Sequence, residues 1–77
     1  MQIQKVDIGN GHQVDYFDSR VTPGGEMGAM DVIEATKRPS ILLTSEGEYL
    51  CWMNGHTASG RYSTLREAQS VMRSLLE

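Results

Sequence analysis

Glu48-Tyr49-Leu50-Cys51-Trp52-Met53-Asn54-Gly55 is a strand-like run that meets a turn signal at its end. Asn54 and Gly55 both accept the positive φ angles of a two-residue type I′ turn, so the chain is expected to fold back there, with His56 to Tyr62 returning alongside. That turn places Trp52 opposite Thr57 and Cys51 opposite Ala58. Just beyond, Thr64-Leu65-Arg66-Glu67 has capping-box spacing: the Thr64 hydroxyl can accept from the Glu67 backbone N–H while the Glu67 carboxylate reaches back. A helix is therefore expected from Thr64. At 100° per residue Leu65, Ala68, Val71, Met72, Leu75 and Leu76 fall on one stripe, with Arg66, Glu67, Gln69, Ser70, Arg73, Ser74 and Glu77 opposite. The apolar stripe needs a sheet to cover.

Upstream of the hairpin, Ile41-Leu42-Leu43-Thr44 reads as a strand joined to Glu48 by Glu46-Gly47. A two-residue turn there pairs Leu43 with Leu50 and Ile41 with Trp52. One face of the resulting meander holds Ile41, Leu43, Leu50 and Trp52; the other holds Leu42, Tyr49, Cys51, Met53 and Ala58. Both are apolar, and one C-terminal helix covers only one of them. The helix is expected on the Ile41, Leu43, Leu50 and Trp52 face, whose groups are larger. Intramolecular cover by the segment around Met30 is preferred for the other, ahead of a second copy or a partner.

At the N-terminal end, Ile3–Ile8 and His12–Asp18 read as a hairpin around Gly9-Asn10-Gly11. A three-residue loop sets Val6 opposite Val14, Lys5 opposite Asp15 and Ile3 opposite Phe17. Ser19 to Gly28, with Pro23, Gly24 and Gly25, reads as a loop. Asp31 to Arg38 has an acidic start, a basic end and Pro39 beyond, which favours one or two helical turns, although Val32, Ile33 and Thr36 suit a strand. The expected fold is α+β: an antiparallel sheet of about five strands with a C-terminal amphipathic helix on one face, residues 1–77 forming a single domain.

Composition narrows function. The chain has 77 residues and a formal net charge of −3. Between Asp7 and Glu34 six carboxylates face Arg20 alone, so the first half could meet a basic surface. The single cysteine excludes an internal disulfide, no Cys/His spacing suits zinc, and the glycines form neither a P-loop nor a dinucleotide fingerprint. No metal or cofactor is expected. With neither a signal-peptide pattern nor a membrane-spanning run, the expected location is the cytoplasm, that of the host cell if the chain is phage-encoded.

Cys51 and His56 are the one nucleophile-and-base pairing the register allows, diagonally placed roughly 7 Å apart. A mid-strand thiol among apolar neighbours is inert, and no oxyanion hole or orienting third residue can be named, so a non-enzymatic role is expected. Arg61, Arg66 and Arg73 could form a small nucleic-acid patch, but Arg61 is the only basic residue of the meander, which also carries Glu46 and Glu48. Aromatics and methionines suit either a core or a protein-binding surface. Trp52 is assigned to the core, and an exposed binding role stays open for Met27 and Met30.

Gly60-Arg61-Tyr62-Ser63-Thr64-Leu65-Arg66-Glu67-Ala68 resembles the strand-to-helix junction Gly-basic-aromatic-x-Thr-x-x-Glu-Ala of small sheet-plus-helix domains common in phage and prophage proteins, the arm-type DNA-binding domains of phage integrases among them. The basic strands of those integrase domains are absent here. In size, acidity and lack of an active-site motif the whole chain is also similar to phage-encoded inhibitors of bacterial defence, including anti-CRISPR proteins. That similarity implies a compact protein occupying a surface of a larger host complex, with acidic residues in some cases standing in for nucleic-acid phosphates. The expected function is protein binding as an inhibitor or adaptor, through Asp15, Asp18 and Glu26 on the acidic side or Tyr49 and Met53 on the sheet. A small nucleic-acid-binding module and a homodimeric adaptor are the alternatives.

Overall fold

The computed structural model describes residues 3–77, apart from the side chain of Ser59. Its elements run β1 (Gln4–Gly9), β2 (His12–Asp18), α1 (Gly25–Thr36), β3 (Ser40–Leu43), β4 (Tyr49–Met53), β5 (His56–Tyr62) and α2 (Leu65–Leu76). The five strands form one sheet in sequence order, with β1 and β5 at its edges. The fold is α+β, with the C-terminal helix packed on the sheet as expected. The sheet is mixed: β1–β2, β3–β4 and β4–β5 are antiparallel, whereas β2 and β3 are parallel and joined through α1. A parallel pair needs a crossover long enough to hold a helix, and the Ser19–Pro39 segment supplies one.

The helix at Asp31 is real and longer than expected, because it starts at Gly25 inside the stretch read as a loop. The glycines there serve close packing. A Cβ on Gly28 would lie 2.2 Å from the Pro23 carbonyl oxygen, so only glycine lets the first turn fold under the incoming chain. Gly24, with φ 81°, supplies the left-handed entry, and Lys37, with φ 55°, closes the helix by donating its N–H to the Ile33 carbonyl at 2.9 Å.

The first hairpin has the expected Val6–Val14 and Lys5–Asp15 pairs. Its loop is two residues, Asn10 and Gly11, both at positive φ, and a bulge between Asp7 and Gly9 restores the register that a three-residue loop would have given. The β3–β4 connection differs by one residue from its expected form. Leu42 pairs with Leu50 and Ile41 with Cys51, because the loop is Ser45-Glu46-Gly47. The Thr44 hydroxyl accepts from the N–H groups of Glu46 and Glu48 at 3.3 and 3.2 Å, and Gly47 takes φ 86°.

A one-residue slip exchanges the faces of β4 relative to β3. The C-terminal helix therefore lies on the Ile41 and Cys51 face, not on that of Leu50 and Trp52: Ala68 and Met72 pack with Ile8, Val14, Ile41 and Cys51. On the other face Ala29 and Ile33 of α1 pack with Phe17, Leu42, Leu50 and Trp52, and Met30 adds to the same cluster. The segment around Met30 is the second cover, as expected, but of the face it was expected to meet only Leu42 lies under it, since Tyr49, Cys51 and Met53 pack beneath α2. All four residues of β3 are buried, since it lies between the two helices. In β5 the Trp52–Thr57 pair forms as expected, but a register shift after it breaks the Cys51–Ala58 pair and aligns Leu50 with Arg61. Leu75, counted on the apolar stripe, is 41% exposed.

Candidate functional site

The five residues expected to contact a partner are not brought to one surface. Asp15 sits on the α1 side of β2 and is 2% exposed. Lys5 Nζ donates to its Oδ1 at 3.0 Å and Arg38 Nε to its Oδ2 at 2.9 Å, so the carboxylate is neutralised from both sides and belongs to the interior. The expected acidic surface loses Asp15 for a physical reason: a carboxylate can enter a core only with partners, and these two cations supply them. Glu26 stands in the first turn of α1, where its carboxylate accepts from the Ser45 hydroxyl at 3.2 Å. Met53 closes β4 at the Asn54-Gly55 turn, far along the strand from Tyr49.

Asp18 and Tyr49 do come together, with partners that the sequence did not single out. Strand alternation puts Tyr16 and Asp18 of β2, Leu43 of β3, Tyr49 of β4 and Tyr62 of β5 on one face at one end of the sheet, since Tyr16 pairs with Ile41, Asp18 with Leu43, Leu43 with Tyr49 and Tyr49 with Tyr62. This corner lies where β5 hands over to α2. All three tyrosines of the chain are half-buried there, packed against the cluster under the helix.

Polar chemistry in the corner is well defined. The Asp18 carboxylate holds Arg20 in a two-point ion pair, with Nε to Oδ1 at 3.0 Å and Nη2 to Oδ2 at 2.9 Å, and also accepts the Arg20 backbone N–H. The Arg20 hydrogen bond holds the Asp18 carboxyl below its ordinary range. Burial raises the Tyr16 phenol above its ordinary value, and the nearby Tyr49 and Asp18 add to the effect. Tyr16, Asp18 and Val21 border a shallow cavity of about 110 Å³, and Val21 projects at its rim, 74% exposed. Sequence alternation alone could have aligned Tyr16 with Asp18, but joining them to Tyr49 required the parallel β2–β3 pairing.

The Cys51 and His56 pairing does not assemble. Cys51 is fully buried beneath α2 and its thiol donates to the Ala68 carbonyl at 3.6 Å, whereas His56 is exposed beside Glu34 and Lys37 at the hairpin turn. Arg61 is likewise drawn away from Arg66 and Arg73, pairing with Glu48 at 3.0 Å and Glu46 at 3.6 Å. Among the described residues no group of three or more His, Cys, Asp or Glu side chains could hold a metal ion, and no helix is long and apolar enough to cross a membrane. No family model, curated protein or solved structure matches this chain.

Proposed function

We propose that the chain is a protein-binding module that acts by occupying a surface of a larger protein, with the tyrosine corner as its contact. The observation that carries this reading is the convergence of Tyr16, Tyr49 and Tyr62 beside the Asp18–Arg20 pair and the exposed Val21. Tyrosine and arginine are the residues that most often dominate binding energy at protein interfaces, because they offer large contact area with a polar tip. The adjoining cavity, about 110 Å³, is well below the roughly 300–1,000 Å³ of a small-molecule pocket, so a complementary protein surface fits the corner better than a compact ligand. The resemblance to phage-encoded inhibitors supports a specific form of this reading, in which the chain is carried by a phage or other mobile element, binds a host complex stoichiometrically and acts in the host cytoplasm.

Affinity capture from a nuclease-treated host lysate, followed by a binding titration with the purified partner, tests it. Tyr49→Ala and Arg20→Ala are expected to weaken the complex by about tenfold or more each, the scale of an interface anchor. Unchanged affinity in both variants overturns the assignment of the corner. Loss of the complex on nuclease treatment overturns the protein-binding reading itself.

A further inference from the structure

A larger cavity lies elsewhere, between α2 and the β1 edge. It is an open groove of about 540 Å³ bordered by Asp7, Gly9, Arg66, Gln69, Ser70 and Arg73. The four helical residues recur at i, i+3, i+4 and i+7, and so form one stripe facing the groove. A volume of this size is within the range of pockets that take small ligands.

Its charge is unusual for an acidic chain. Lys5, Arg20, Arg38 and Arg61 each pair with a carboxylate, whereas Lys37, beside the Asn54-Gly55 turn, makes no ion pair among the described residues. Among the described residues Arg66 and Arg73 make no ion pair or hydrogen bond, although Asp7 borders the same groove and Glu67 and Glu77 stand on or beside the same helix. Each of these carboxylates is held by a neutral donor instead. Asp7 accepts the Gly9 backbone N–H at 2.8 Å, Glu67 accepts the Ser63 and Thr64 hydroxyls at 3.1 and 3.3 Å, and Glu77 accepts the Asn10 amide at 2.6 Å. Glu77 stands one turn from Arg73, the usual spacing for a helical ion pair, yet its carboxylate is tied to the β1–β2 turn.

On the wall opposite the helix the Arg73 guanidinium lies close to Gly9. Gly9 has φ 94°, and a Cβ there would stand 3.1 Å from Arg73 Nη1, so a side chain at that position would crowd the guanidinium. The Gln69 amide donates to the Asp7 carbonyl at 3.1 Å, which ties the helix to the strand across the groove. Arg66 and Arg73 thus flank the Ser70 hydroxyl about 10.5 Å apart along the helix axis, seven residues at 1.5 Å each.

From this geometry we propose that the groove is an anion site for a linear polyphosphate chain. Planar guanidinium forks match phosphate oxygens two at a time, and two of them spaced along a groove suit charge spread along a chain better than a single compact anion. The groove and the tyrosine corner share no residue, so each can be tested without altering the other.

Titration of the ¹⁵N-labelled protein with inorganic tripolyphosphate, followed by amide chemical shifts, tests the proposal. Saturable shifts are expected around Gly9, Arg66, Ser70 and Arg73, with affinity higher than for orthophosphate. A nucleoside triphosphate arm separates sources: equal affinity means that the phosphate chain alone is read, and tighter binding means that a nucleoside carries it. Arg66→Gln and Arg73→Gln, both at exposed helix positions, are expected to lose about tenfold or more in affinity each with an unchanged fold, whereas Arg61→Gln is expected to bind normally. Absence of saturable shifts, equal affinity for orthophosphate, equal loss in Arg61→Gln, or binding confined to single-stranded oligonucleotides would each overturn it.

Discussion

At Cys51 the environment sets the chemistry. The side chain has no exposure, and burial alone pushes its thiol up to about 11. Only a thiolate is an effective nucleophile, so the residue is inert in the folded state. Alkylation by iodoacetamide at pH 8 is expected to be slow in buffer and rapid in denaturant; equal rates would show that the thiol is reachable. The same displacement has a sign in stability. Above the pKa of the unfolded chain the unfolded thiol gives up its proton while the folded one keeps it, so stability is fully present below that pH and declines as pH rises toward 11. Urea midpoints measured across that window are expected to fall more steeply for the parent chain than for Cys51→Ala. Asp15 shows the opposite strategy for an ionisable group in the interior, remaining beside two cations whose own side chains are about half exposed. Its burial could not be read from the sequence. The Lys5–Asp15 pair was legible as a cross-strand contact, but Arg38 arrives from a segment that only the crossover brings near.

Elements here begin and end on identifiable residues. The N-terminus of α2 was legible because a cap is local: Thr64 Oγ1 accepts the Glu67 N–H at 3.2 Å, and the Glu67 carboxylate turns back to the Ser63 and Thr64 hydroxyls. The N-terminus of α1 was not, because Gly24 gives no side-chain cap and a glycine-rich entry looks like a loop. That entry requires a glycine at position 28, where a Cβ would meet the Pro23 carbonyl, a requirement invisible until the chain has folded under itself. The two helix starts therefore respond differently to alanine. Thr64→Ala is expected to cost about 1 kcal/mol, the usual price of a lost cap. Gly28→Ala forces a Cβ into a backbone carbonyl and is expected to cost more, about 2 kcal/mol or above, as overpacking does. Chemical denaturation of both variants checks the order, and a milder effect at Gly28 would mean that α1 starts later than Gly25. The Ser45-Glu46-Gly47 loop teaches a related lesson. A Thr44 hydroxyl that captures two backbone N–H groups lengthened the loop by one residue and so exchanged which side chains of β4 lie under which helix.

Across the whole molecule, the sheet is covered on both sides, with α1 over Leu42, Leu50 and Trp52 and α2 over Ile41 and Cys51. Protection of backbone hydrogen bonds should follow that layering. Amide exchange is expected to be slowest at Ile41, Leu42, Leu50 and Cys51, where strands lie between helices, and fastest in β5, an edge strand with mostly exposed side chains and a register shift. Uniform exchange across the sheet would contradict it. By itself the sequence determined the strands, the capped C-terminal helix and the two-faced apolar meander, because periodicity, turn glycines and caps act within a few residues. It also implied that something must cover the second face. Tertiary structure alone decided that β2 and β3 run parallel, which side chains of β4 lie under which helix, and that Tyr16, Tyr49 and Tyr62 share one corner while Arg66 and Arg73 share a groove. Those outcomes depend on loop length to a single residue and on contacts between segments far apart in the chain, and no local pattern encodes them.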